Sequence, residues 1–214
     1  MTPDELAINF GSVDLPWPDA TDTLHGQGTD RTSTVYLGWG HRQDGVRAMA
    51  FKDAAAVLAE TIATRGTHRP ELDLLAYPLL FCWRHYVELE LKHLVRSARR
   101  LLDEKPDPKE KPHHHLRDLW TECNGLLERI DDRKPDDYRN AGRLILQLDA
   151  LDPDGQHFRY AWTTATKKRP PTATLAGVDK LAIDRVHAAL MGLATFLEAA
   201  EAQIDDLTQA LPER

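Results

Sequence analysis

The sequence predicts an all-α protein, an up-and-down bundle of about five helices behind an irregular N-terminal arm with room for one short strand. Three observations predict it. Apolar residues recur every three or four positions through five stretches beyond residue 45. Segments rich in Pro, Gly and charge separate those stretches. The 214 residues, 42% of them hydrophobic, are enough to bury one sizeable core.

Taken in order, residues 1–45 form the arm, with Pro16-Trp17-Pro18 and Gly26-Gln27-Gly28 but no sustained helical period. Inside it, residues 33–39 combine β-branched and aromatic side chains and fit one strand. The bundle then occupies 46–214. Its first helix covers 46–65, with Met49, Ala56, Leu58, Ala59 and Ile62 as an apolar face and Gly66 as a stop. The second runs from 70 to about 102. Pro70 suits a first turn, Glu71 and Asp73 suit the positive dipole end, and Pro78 is expected to kink the helix or mark its start.

Three prolines among charges make 103–112 an exposed connection before a third helix over 115–130, with Leu116, Leu119, Trp120, Cys123, Leu127 and Ile130 on one face. The fourth helix, 135–151, aligns Tyr138, Ala141, Leu144, Ile145, Leu148 and Leu151 and stops at the turn Asp152-Pro153-Asp154-Gly155. Residues 156–162 read as extended and aromatic, and 163–176 as a loop. The last helix starts near Asp179 as its cap. Its apolar positions Val186, Leu190, Leu193, Leu197, Ala200, Ile204, Leu207 and Leu211 form a coiled-coil-like seam, which either closes the bundle or joins a homodimer.

Composition narrows the function classes. A formal net charge of -7 opposes broad attraction to nucleic acid, although a local basic patch is compatible with RNA. Two cysteines, Cys82 and Cys123, make neither a disulfide framework nor a zinc-ligand pair, so a reducing, cytoplasmic setting is expected. The first residues carry no basic stretch followed by an apolar one, and the longest apolar run, 74–83, is about half a bilayer span, so no membrane association is expected.

Within the second helix, Arg84, Glu88 and Lys92 lie four residues apart on one face among Trp83, Tyr86, Val87, Leu89, Leu91 and Leu94. Charges in such surroundings must be paired. The stripe is therefore either an ion-pair ladder or one wall of a polar site, with His85 beside it as a proton-transfer group. Lys92, His93, Arg96, Arg99 and Arg100 suit phosphate or simply the helix C-terminal dipole. His113-His114-His115 does not make a metal site, because consecutive helical residues point about 100° apart; His115 serves the helix start or faces the stripe. His157-Phe158-Arg159-Tyr160 interleaves cation and aromatics, a composition that stacks a base and meets a phosphate, or that seals the bundle with Arg159 reaching the acidic stripe. No Gly-rich phosphate loop or nucleophile elbow occurs, and no cofactor is expected.

Residues 84–92, then His115-Leu116-Arg117-Asp118-Leu119-Trp120, then residues 152–160 in that order resemble bacterial proteins of the HEPN-like superfamily over roughly residues 70–205. The resemblance implies a helical bundle, often dimeric, from toxin-antitoxin, abortive-infection and other defence systems, whose active members cut RNA without a metal. Those ribonucleases carry Arg, four to six residues, then His, and no arginine of this chain has a histidine at that spacing. The expectation is thus a non-catalytic or divergent module that binds RNA, a nucleotide or a protein partner. A metal-independent ribonuclease using Arg84, His85, Glu88 and His115, with Lys92, Arg96, Arg159 and Tyr160 on the ligand, and an oligomeric scaffold are the alternatives.

Overall fold

Apolar spacing and helix-end chemistry set five helices in the computed structural model, which describes residues 44–65, 70–105, 114–130, 135–165 and 170–211. They are α1 (Asp44–Arg65), α2 (Pro70–Leu101), α3 (Leu116–Leu127), α4 (Pro135–Leu151) and α5 (Ile183–Gln209). Residues 44 and 45, expected to end the arm, begin α1; the rest of the arm and the strand expected over 33–39 lie outside the described residues. All described helices belong to one unit, Gly38–Arg214. None is long and apolar enough to cross a membrane.

α1 turns Ala48, Phe51, Ala55, Leu58, Ala59 and Ile62 inward, a three-and-four step that leaves Met49 on the outer side, 56% exposed, contrary to its expected place on the apolar face. α2 is the central element. It passes through Pro78 without a break, with that residue on its exposed side, and buries Leu79, Trp83, Tyr86, Val87, Leu91 and Leu94. α1 runs antiparallel to α2: Phe51 meets Phe81 and His85 near the middle, and Asp44 meets Arg96 further along.

The connection after α2 returns the chain to Glu88, so α3 climbs beside α2 in the same sense, tied by Arg99–Glu122 and Glu104–Arg129, each 2.6 Å. α4 descends against α3. Its Gly142 lets the backbone approach so closely that an added Cβ would lie 2.6 Å from Trp120 Nε1. α5 closes the core through Leu190, Leu193, Leu197, Ala200 and Ile204, with Phe196 edge-on to Trp120 and Tyr138. The seam is internal through Ile204, whereas Leu207 and Leu211 are exposed.

Two local expectations are corrected. α5 begins at Ile183 with Ala182 as its N-cap and no side-chain capping bond, so Asp179 lies upstream of the helix and does not cap it. Residues 156–160 are turned rather than extended: the amides of Arg159 and Tyr160 both donate to the Gln156 carbonyl, at 3.0 Å each. The only β-type pairing among the described residues is an antiparallel bridge, Trp162 with Ala173, which clips the loop between α4 and α5.

Candidate functional site

Arg84 lies at the inner end of the site and is 1% exposed. Its helix position aims it at the point where the chain enters α3 and leaves α4. There Nη1 donates to Glu88 Oε2 at 2.5 Å, Nη2 to the His114 carbonyl at 2.5 Å, and Nε to the Asp152 carbonyl at 3.1 Å. The buried Asp152 carboxylate adds charge at 3.5 Å from Nε, while its other oxygen accepts the His157 amide at 2.9 Å. Gly155, with φ 75°, covers the guanidinium, since a Cβ there would stand 3.4 Å from Arg84 Cζ. Each nitrogen of the guanidinium has a protein acceptor. Arg84 therefore joins α2, the start of α3 and the end of α4, as buried charge requires.

Glu88 faces outward from that junction. Its Oε1 accepts from Lys92 Nζ and contacts His114 Nδ1, both at 2.7 Å. Burial pushes its pKa up, but the bonds from Lys92 and His114 and the charges of Lys92 and Arg84 prevail and hold it down at about 2. His114, not His115, is the imidazole on the stripe. His115, the N-cap of α3, has extended backbone, so its side chain points away from that of its predecessor and contacts the Pro153 carbonyl through Nδ1 at 2.7 Å.

His85 sits on the aromatic side of α2, stacked on Phe81 and edge-on to Phe51. Burial lowers its pKa; Glu88 opposes that, and Arg84, Lys92 and Arg159 reinforce it. A neutral ring is favoured. Arg96 pairs with Asp44 of α1 at 2.5 Å, away from the stripe. The structure thus gathers Arg84, Glu88 and Lys92 with His114, keeps His85 within electrostatic range, and directs His115 and Arg96 to other partners.

Arg159 and Tyr160 belong to a second feature, a cavity of about 360 Å³ shared with Tyr77, His157, Thr174 and Leu175. The Arg159 Nε donates to the Gly155 carbonyl at 2.8 Å, and Cζ lies 5.5 Å and 5.4 Å from the centroids of Phe81 and Tyr160. The guanidinium thus lies over both aromatic rings, and Arg159 as a residue is exposed. Tyr77, Tyr160 and Trp162 are about half exposed or more, at 47%, 54% and 63%. Thr174 Oγ1 donates to the Tyr160 carbonyl at 2.6 Å, and Leu175 holds a φ of 53°, a region that a branched residue occupies at a steric cost.

A third cluster, between α1, α2 and α5, had no expectation attached to it. Glu90 is 2% exposed and its Oε1 has no hydrogen-bond partner. Burial, then the carboxylates of Glu201 and Glu198, push its pKa up to about 8 against the ammonium of Lys52. Lys52 pairs with Glu198, and His93 Nε2 lies 2.8 Å from Glu201 Oε1. Its burial was legible: Leu79, Trp83, Tyr86, Glu90 and Leu94 step by four and three along one face.

No three His, Cys, Asp or Glu side chains among the described residues are arranged to hold a metal ion. Comparison with protein-family models, curated proteins and solved structures finds no match to this chain. What the site can do must be read from its own residues. Every nitrogen of Arg84 is engaged at the Arg84–Glu88 junction, which suits rigidity, whereas the Arg159 cavity offers an anchored cation, exposed rings and open space, the elements of a base-and-phosphate receptor.

Proposed function

We propose that this chain is a non-catalytic, HEPN-like binding module of the bacterial defence type, whose ligand is a nucleotide or a short single-stranded stretch of RNA seated in the Arg159 cavity. The observation that carries the proposal is the fixed guanidinium of Arg159 between Phe81 and Tyr160, at the edge of a space also bordered by the exposed Tyr77. Aromatic faces accept any base, and one guanidinium accepts one phosphate. The HEPN-like part rests on the order of the three motifs together with the helical bundle that carries them.

Binding rather than cleavage is favoured by the engagement of Arg84. Metal-independent phosphodiester cleavage needs a base, an acid and a cation turned toward one phosphate. Here the best-placed cation is buried on Glu88, Asp152 and the His114 carbonyl, and Glu88 is itself held by Lys92 and His114.

Titration with fluorescent dinucleotides and mononucleotides in chelator tests the proposal. Tyr160→Ala and Arg159→Ala should each weaken binding by about 1–3 kcal/mol, the worth of one stacked base or one charge-assisted contact. Affinity unaltered by both variants would remove the ligand from this cavity. Cleavage of the RNA, lost in Glu88→Gln and His114→Ala, would replace the reading with a ribonuclease.

A further inference from the structure

The Arg159 cavity has a hydrogen-bonding character set by which protons its walls have already committed. Thr174 and His157 both line it. The single hydroxyl proton of Thr174 goes to the Tyr160 carbonyl at 2.6 Å, so its Oγ1 has only lone pairs left. His157 Nδ1 lies 3.1 Å from the Leu151 carbonyl, and because a carbonyl only accepts, the proton of the neutral imidazole sits on Nδ1. Nε2 is then an acceptor, and Asp154 Oδ1 stands 4.0 Å from it, beyond hydrogen-bond reach.

The backbone adds to this bias. The His157 amide donates to the Asp152 carboxylate at 2.9 Å, those of Arg159 and Tyr160 to the Gln156 carbonyl at 3.0 Å, and that of Thr174 to the Ala161 carbonyl at 3.0 Å. Those protons are spent within the protein. Beside the Arg159 guanidinium and the tyrosine hydroxyls, these walls present acceptors.

Acceptors select donors. Adenine and cytosine carry an exocyclic amino group with two N–H donors, where hypoxanthine and uracil carry an oxo oxygen. An oxo oxygen facing Thr174 Oγ1 or His157 Nε2 sets lone pair against lone pair and leaves the wall atom unsatisfied. We propose, on the reading of this cavity as a nucleotide site, that His157 and Thr174 determine its base specificity. Their Nε2 and Oγ1 atoms accept the two protons of an exocyclic amino group while Arg159 takes the phosphate. The ligand class is thereby an adenine or cytosine nucleotide.

Titration of the full chain at about pH 8, where an imidazole is ordinarily neutral, tests this with two pairs of ligands that exchange amino for oxo. The pairs are adenosine against inosine monophosphate and cytidine against uridine monophosphate. The amino member of each should bind about tenfold more tightly. Thr174→Val and His157→Asn should each cut that ratio by about threefold or more, and Thr174→Ser should keep it. Asn retains an N–H for the Leu151 carbonyl but has no acceptor where Nε2 stands. Circular dichroism confirms that each variant is folded. Equal affinity within both pairs for wild type would overturn the proposal; if that common affinity still falls in Tyr160→Ala, the nucleotide reading of the cavity stands without it. An amino preference untouched by both Thr174→Val and His157→Asn would also overturn it, by placing the discrimination elsewhere. Binding of none of the four nucleotides would remove the specificity and the nucleotide reading together.

Discussion

At the residue scale, Arg84 and Glu90 show how one helix treats two buried ionisable side chains in opposite ways. Arg84 has an acceptor for each nitrogen group, so its removal leaves the buried Asp152 carboxylate without a cation and should lower stability by about 3–5 kcal/mol in urea unfolding of Arg84→Met. Arg84→Lys should recover little, because a single ammonium cannot span Glu88, Asp152 and the His114 carbonyl. A loss below about 1 kcal/mol would mean that the junction does not hold the three helices together. Glu90 has no such partners. Its folded pKa, about 8, stands above the ordinary 4.5, so its contribution to stability is complete below the ordinary value and is lost as pH rises through about 8. Glu88 runs the other way, contributing above 4.5 and losing that contribution as pH falls toward about 2. Glu90→Gln should therefore flatten the decline in melting temperature between about pH 4.5 and about pH 8; an unchanged decline there would assign it to other groups. The stripe of Arg84, Glu88 and Lys92 was legible from its four-residue spacing. The exchange of His115 for His114 was not, because it depends on an extended N-cap that reverses consecutive side chains.

At the element scale, helix boundaries were readable where backbone chemistry acts locally and less so where tertiary contacts decide. Pro135 with Asp136 and Asp137 begins α4 as the sequence indicates, since a missing amide and negative charge both suit a first turn. Asp179 had the right chemistry for a cap, yet the chain stays irregular to Ala182, with the bridge at Trp162 and Ala173 and the turn at Leu175 ahead of it. The packing of α3 on α4 gives a sharper test. Gly142→Ala places a methyl group 2.6 Å from the Trp120 indole nitrogen, so the helices must separate; overpacking of about 1–3 kcal/mol should exceed the gain of up to about 1 kcal/mol in helix propensity. Gly192→Ala, within α5 and with nothing within 4 Å of the new methyl group, should stabilise by about 0.5–1 kcal/mol. Opposite shifts in thermal midpoint would confirm the close contact at Gly142, and a gain at both sites would show that α4 can move away from Trp120 freely.

At the scale of the whole molecule, the Arg159 cavity has one arginine on a chain of net charge -7. A long polyanion gains little from such a surface, because every nucleotide beyond the cavity brings a phosphate toward an acidic protein without a counter-charge. Affinity for single-stranded RNA should accordingly rise from a mononucleotide to about two or three nucleotides, as stacking on Tyr77 and Tyr160 becomes available, and then level off. The logarithm of the affinity should fall against the logarithm of salt with a slope near -0.7, the value for about one neutralised phosphate on a single strand. Anisotropy measurements over an oligonucleotide length series at several salt concentrations provide both quantities. A slope several times steeper, with affinity still growing at ten nucleotides or so, would require a basic track beyond Arg159. Lys167, Lys168 and Arg169 are the cations nearest in sequence that could supply it, and their neutralisation would then have to restore the shallow slope.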